Sequence, residues 1–238
     1  MVSIVAIMLA IGCDHQRTSE PSILIFSKTA GFRHTSIPVA IESIREFTSG
    51  LVRVDTTESS EAFTTDNLAR YKAVVFLSTT GDVLNAEQER AFESYIEGGG
   101  GFVGIHAASD TEYTWPWYAE MIGAHFAGHP PTQAAVVIVE DHSHPSTATL
   151  PDRWPRTDEW YRFNRNPRTV EGIHVLGALD ESTYEGGGMN GDHPCIWWRM
   201  MGQGRCWYTA GGHTEESFAE PLFREHLREG IRWAAKLE

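Results

Sequence analysis

Residues 101–110, Gly-Phe-Val-Gly-Ile-His-Ala-Ala-Ser-Asp, run from an apolar strand into a turn of small residues with His106 at its apex. Gly104-x-His106-x-Ala108 has the shape of a nucleophile elbow, G-x-S-x-G, with His where Ser or Cys would stand. Small neighbours let the backbone bend sharply and lift one side chain above a sheet edge. An imidazole there can bind a metal or move a proton, but it is a poor acyl-enzyme nucleophile. Asp110 follows four residues later, where it can share a face with His106 and orient it. The plainer reading has Asp110 capping the next helix.

Two other strand ends carry similar chemistry. Gly31-Phe32-Arg33-His34-Thr35-Ser36 follows the first apolar run, so His34 can serve as ligand or base and Arg33 can hold an anion. Tyr208 to Glu215 leads from a strand through Gly211-Gly212 to His213, with Glu215 placed to orient it. His34, His106 and His213 would form a Zn²⁺-like site with an open position, ligand nitrogens lying about 2.0–2.1 Å from the ion. The spacing is not diagnostic, since neither H-E-x-x-H nor C-x-x-C is present. His125-x-x-x-His129 and His142-x-His144 also have ligand-like spacing. Beside Pro and Gly, they read first as loop-shaping residues. Asp158-Glu159-Trp160-Tyr161 pairs two acids with two rings, a common way to grip sugar hydroxyls and stack on C–H faces. Asp192-His193-Pro194, followed by Trp197-Trp198, reads the same way, and His193 joins the substrate-binding candidates.

The elements needed to position these residues are legible as apolar runs. Strands are expected at Ser22–Ser27, Leu51–Val54, Ala73–Leu77 and Phe102–Ile105. The wholly apolar third run suits a parallel strand covered on both faces. Helices are expected at Pro38–Phe47 and, capped by Asn85, up to Glu97. This alternation predicts a parallel α/β sheet whose ligands sit beyond the carboxyl ends of the strands. The loops that matter are then Lys28–Ser36, Ser78–Val83, His106–Trp117 and one later loop. Strands at Ala134–Val139 and Ile173–Leu179, a hairpin of Pro194–Trp198 with Arg205–Thr209, and a helix from about Glu216 to Lys236 complete the chain. With the hairpin turn near Gly202, Cys206 faces Arg199 rather than Cys195, so two buried thiols are expected instead of a disulfide.

Length and charge bound the remainder. The chain's 238 residues suffice for one substantial core. A net charge of −13 excludes a non-specific nucleic-acid binder, which needs a basic surface. Residues 1–21 read as an export leader and tether before a single domain over 22–238. Met1 to Gly12 is almost wholly apolar, Leu9-Ala10-Ile11-Gly12-Cys13 resembles a lipoprotein cleavage box, and Asp14 to Glu20 is polar. Lipidation at Cys13 would anchor the protein to a membrane or leave it in the periplasm. Against this, no Lys or Arg precedes the apolar run. A misplaced start or a buried first strand in a cytoplasmic protein is the alternative.

Taken together, these residues resemble the ThuA-like (trehalose utilisation) family within the class I glutamine amidotransferase-like superfamily. The resemblance runs from Ser22 to Lys236. It rests on Phe32 to Ser36, Gly104 to Asp110, Trp117-Tyr118, Gly123 to Phe126, His144-Pro145, Leu150-Pro151, Asp158 to Tyr161, Asp192 to Pro194, Gly204-Arg205, Gly212-His213 and Gly230 to Ala234. It implies a flavodoxin-like three-layer αβα sandwich with a mostly parallel sheet, and a role in carbohydrate catabolism, often linked to keto-sugars made from disaccharides. His213 with Glu215 echoes the His-x-Glu of glutaminase triads. The amidotransferase cysteine is replaced at His106, so glutaminase activity is not expected.

Two functions follow. The first is an enzyme acting on a keto-glycoside or disaccharide derivative by hydrolysis, elimination or isomerisation. A keto group acidifies the adjacent C–H, bringing it within reach of a histidine base or a metal-assisted one. Here His106, His213, Asp110 and Glu215 are catalytic, and Arg33, Asp158, Glu159, Trp160, Tyr161 and His193 bind substrate. His34, His106 and His213 hold a divalent metal or divide acid and base roles. The alternative is a non-catalytic carbohydrate-binding lipoprotein. Histidines at three separate strand ends favour the enzyme.

Overall fold

The structure, a computed structural model, describes residues 20–237. The expected leader and its Cys13 lie outside the described residues, apart from the last residues of the tether. Among the described residues, no helix is long and apolar enough to cross a membrane.

The first half of the chain alternates strand and helix: β1 (Ser22–Phe26), α1 (Ile37–Phe47), β2 (Arg53–Thr57), α2 (Thr65–Leu68), β3 (Ala73–Leu77), α3 (Ala86–Glu97), β4 (Gly101–Ile105) and α4 (Pro116–Ile122). The second half is strand-rich: β5 (Phe126–Gly128), β6 (Gln133–Val139), β7 (Arg153–Asp158), β8 (Arg162–Phe163), β9 (His174–Leu179), β10 (His193–Met201) and β11 (Gly204–Thr209). It closes with α5 (Pro221–Ala234).

Nine strands form one sheet in the order β2-β1-β3-β4-β11-β10-β9-β6-β7. The first five are mutually parallel, and the remaining four continue the sheet antiparallel. The parallel part has the 2-1-3-4-5 order of flavodoxin-like sheets, whose ligand crevice lies where the order reverses, at β1 and β3. The three-layer expectation therefore holds. Phe92 of α3 packs on Phe76 and Phe102 on one face, with ring centroids at 5.3 and 6.2 Å. On the other face α5 lies against α1, β4 and β11, and Gly230 gives Trp207 room that a Cβ would take.

Local chemistry explains most boundaries. Asn85 accepts from the backbone N–H groups of Glu87 and Gln88, and Gln88 returns a bond to Asn85 N, a complete capping box. The expected helix over 216–236 is broken. A 3₁₀ turn at Glu216–Ala219 precedes α5, because Pro221 has no N–H and suits only a first helical turn. β2 begins two residues later than its apolar run suggests, since it is an edge strand carrying Asp55, Thr56 and Thr57. In the hairpin Arg199 pairs with Cys206, and Cys195 and Cys206 are free buried thiols.

Candidate functional site

The carboxyl ends of β1, β3, β4 and β11 bring the loops carrying His34, His106 and His213 to one sheet edge. His106 occupies the apex of a sharp turn, at φ 52°, a left-handed conformation that costs a non-glycine residue about 1–3 kcal/mol. Gly104 makes the turn possible, because a Cβ there would lie 2.9 Å from the Tyr208 ring. Gly212, at φ +115°, bends the chain just before His213.

His106 is fully buried. Its Nδ1 lies 2.8 Å from the Ala210 carbonyl, which can only accept, so Nδ1 carries a proton and Nε2 is the nitrogen turned toward the cluster. That nitrogen faces His213 Nδ1 at 3.3 Å and Glu159 Oε2 at 3.5 Å. His213 Nδ1 stands 3.1 Å from the same carboxylate oxygen, and the more exposed His129 reaches Glu159 Oε1 at 3.0 Å. His34 packs edge-on against His106 and His213, with centroids at 4.7 and 5.2 Å, and its buried Nδ1 has no hydrogen-bond partner. One ligand atom from each of His34, His106, Glu159 and His213 lies within 4.8 Å of all the others.

The electrostatics follow from crowding. Burial and the neighbouring His106 and His213 push His34 down to about 3, so it is neutral. Burial alone would raise Glu159, but hydrogen bonds from His106 and His213 outweigh it and hold the carboxyl well below its usual range. Glu159 in turn raises His213, against the opposing effect of burial. The cluster thus offers a neutral imidazole, an imidazole anchored through its Nδ1, an anionic carboxylate and a third histidine whose proton affinity Glu159 raises.

Glu159 enters this cluster although its sequence pattern suggests sugar binding. Asp158 explains how. It is fully buried, accepts from Gly212 N at 2.8 Å, His213 N at 3.0 Å and Ser217 Oγ at 3.0 Å, and pairs with Arg156 at 3.2 Å. These bonds fix the His213 turn and set Glu159 beside it.

Several expectations are corrected here. Asp158, Trp160 and His193 are buried, with their polar atoms bonded within the protein rather than presented at the surface. Trp160 Nε1 donates to the Gln133 carbonyl at 2.9 Å. His193 Nε2 meets the Tyr161 carbonyl at 2.7 Å, and its Nδ1 meets Tyr184 and Glu181. Tyr161 is also buried, its ring tilted over His106 at a centroid distance of 4.3 Å. Asp110 does not orient His106. It accepts from the Tyr113 hydroxyl at 2.5 Å, while both His106 nitrogens are engaged elsewhere. Glu215 is exposed, and the carboxylate that reaches His213 is Glu159. Arg33 lies at the rim, paired with Glu58 at 2.6 Å. Among the loop histidines, His125 stacks on Tyr113, His142 pairs with Asp152, and His144 is buried against Trp233. Only His129 of those four reaches the cluster, a role its Gly-His-Pro-Pro setting did not signal.

Comparison with known proteins agrees with this architecture. A family model described as trehalose utilisation, ThuA, matches residues 22–234. A putative ThuA-like protein from Bacteroides uniformis is similar over 94% of this chain and 95% of its own, at 24% identity and a TM-score of 0.77. Another, from Parabacteroides merdae, covers 91% and 90% at 24% identity, with a TM-score of 0.74. A β-galactosidase from Rahnella shares the fold over 92% of this chain and 32% of its own, at 13% identity and a TM-score of 0.60. No curated protein matches the sequence. The chain belongs to the ThuA, or trehalose utilisation, family.

Proposed function

We propose that this protein is a sugar-processing enzyme of carbohydrate utilisation, acting on a keto-glycoside or disaccharide derivative, with a divalent metal held by His34, His106, Glu159 and His213. The observation that carries this reading is the convergence of one ligand atom from each of these four residues, together with a buried Nδ1 of His34 that has no partner among the described residues. Buried polar atoms are nearly always paired, so an orphaned imidazole nitrogen among other ligand atoms fits an ion. Three imidazoles and one carboxylate suit Zn²⁺ or a similar ion. The bond from His106 to the Ala210 carbonyl is the outer support typical of a metal-ligating histidine.

When bound, such an ion supplies Lewis-acid polarisation of a carbonyl. The chain's own groups do the remainder. His106 is anchored through Nδ1 to the Ala210 carbonyl, Tyr161 covers its ring and keeps water from that side, and the Oε1 of Glu159 faces His129 at the mouth. A keto-sugar brought here presents an acidified C–H to these bases, which suits elimination or isomerisation. Glutaminase chemistry lacks a nucleophile. His106 stands at the elbow, and burial pushes Cys206 up to about 12 and raises Cys195 as well.

Metal analysis of purified wild type beside His106→Ala tests the reading, together with turnover of a keto-disaccharide. One equivalent of metal in wild type, lost in the variant along with turnover, is the expected outcome. Turnover surviving in His106→Ala would refute it. Turnover without metal in either protein would leave acid–base work by the same residues.

A further inference from the structure

Phe32 and Tyr113 stand apart from the molecule's other apolar surface. Among the described residues they are the only aromatic side chains in the set of large exposed hydrophobics, at 65% and 47% exposure. The others, Val39, Leu51, Met200 and Leu222, are aliphatic or thioether side chains. Both aromatics lie on loops at the carboxyl edge of the sheet, beside the His/Glu cluster. The Phe32 ring stands edge-on to His34 at 4.8 Å. Tyr113 is joined through its hydroxyl to the Phe126 carbonyl, and Phe126 packs on Tyr161, which covers His106.

Their positions are fixed by consecutive residues of the loop after β3. Thr80 Oγ1 donates to the Phe32 carbonyl at 3.0 Å and accepts from Gly31 N. Gly81 N donates to the Asp110 carbonyl at 2.7 Å, and Asp82 accepts from Tyr113 N at 2.8 Å and from Thr114 Oγ1 at 3.1 Å. The two aromatics therefore hang from the loops after β1 and β4, on either side of the loop after β3 that holds both. One face of Tyr113 rests on His125, with centroids 4.7 Å apart and planes at 25°. Its hydroxyl holds one oxygen of Asp110, and among the described residues no hydrogen bond reaches the other.

An exposed ring beside a carboxylate acceptor matches one ligand chemistry well. A pyranose has an apolar C–H face for the ring and a rim of hydroxyl donors for the carboxylate. The net charge of −13 works against an anionic ligand.

We propose that Phe32 and Tyr113 are stacking surfaces of a saccharide-binding mouth, which holds a neutral sugar over the His34/His106/Glu159/His213 cluster, with Asp110 accepting one hydroxyl. This rests on the sugar-processing reading above and assigns the substrate contacts that the buried Asp158 and Trp160 do not make. Neither ring supports the core, so both can be removed without unfolding the protein.

Calorimetric titration of wild type, Phe32→Ala, Tyr113→Ala and Tyr113→Phe with keto-trehalose, trehalose and glucose tests the assignment. Each alanine variant is expected to weaken disaccharide binding roughly three- to tenfold, the scale of one lost aromatic contact. Tyr113→Phe keeps the stacking face and should retain most of the affinity. Metal content and thermal unfolding should be unchanged in all three. Wild-type disaccharide affinity in both alanine variants would overturn the mouth and leave the sugar reading standing. A wild type that keeps its metal but binds none of the three sugars would overturn both.

Discussion

Glu159 sits within reach of three histidines: His106 and His213 at one oxygen, His129 at the other. Such an arrangement is sensitive to whatever fixes the carboxylate, and here that is Asp158. The Arg156–Asp158 pair is almost completely buried, with side chains 2% and 0% exposed, and each partner has further bonds that satisfy it. Removing Asp158 strips the buried Gly212 N–H, the His213 N–H and one side of Arg156 of their acceptor, and breaking such a buried pair typically costs about 3–5 kcal/mol, whereas a rim pair such as Arg33–Glu58 is worth less than about 1 kcal/mol. Asp158→Ala should therefore lower unfolding free energy by about 3–5 kcal/mol in urea, and Glu58→Ala by under about 1 kcal/mol. Because Asp158 holds the backbone of Gly212 and His213, the same variant should also lose metal. An Asp158→Ala protein with wild-type stability would show that the buried pair does not secure this edge.

At the level of elements, the strands and helices that place His34 and His106 were legible because their apolar runs are uninterrupted. β1, β3 and β4 are buried on both faces and need no partner information to be recognised. β7 was not legible, although its burial alternates strictly from Arg153 to Asp158. Pro155 argues against a strand except at an edge, and an edge is where β7 lies. Without β7, Asp158 and Glu159 look like a surface sugar grip; the strand makes Asp158 a buried bracket and places Glu159 among the histidines. The packing of α5 on the sheet was likewise hidden, because His226 looks polar in sequence. It is fully buried among Trp207, Trp154 and Phe223, with Nδ1 2.8 Å from the Ser146 carbonyl and Nε2 3.2 Å from Thr209 Oγ1. Burial pushes His226 down to about 3, below its ordinary 6.5. A lowered histidine favours the neutral folded form, so its contribution is fully present above pH 6.5 and is lost as pH falls toward 3. Across that window stability should drop by about 1.4 kcal/mol per pH unit for this one proton. His226→Gln should have a shallower acid limb in urea melts between pH 6 and 4, with the neighbouring His144, held at about 4 by its own burial, supplying the remaining slope. An unchanged slope would mean that α5 docking is indifferent to this proton.

Across the whole molecule, the sheet joins two kinds of chain: a parallel half that supplies His34, His106 and their loops, and an antiparallel half that supplies Glu159 and the ring over His106. β11 is parallel to β4 and antiparallel to β10, so His213, just past its end, stands at the seam. An ion bound by ligands from both halves acts on the folded state as a whole, since the unfolded chain cannot gather them. Mass action then stabilises the fold by about 2.7 kcal/mol at a free metal concentration one hundred times the dissociation constant. For a domain of this size that corresponds to a melting shift of about 5–11 °C. Chelated wild type should melt lower by that amount than protein resupplied with Zn²⁺ or the metal found on purification. His213→Ala should lower the chelated melting point modestly, because its side chain is part-exposed and its loss leaves Glu159 with two histidines. The same variant should abolish the response to added metal. Differential scanning calorimetry separates the two effects. If chelation and resupply leave wild type unchanged, the cluster is held by its protons, and Glu159 with His213 must then do the work as an acid–base pair.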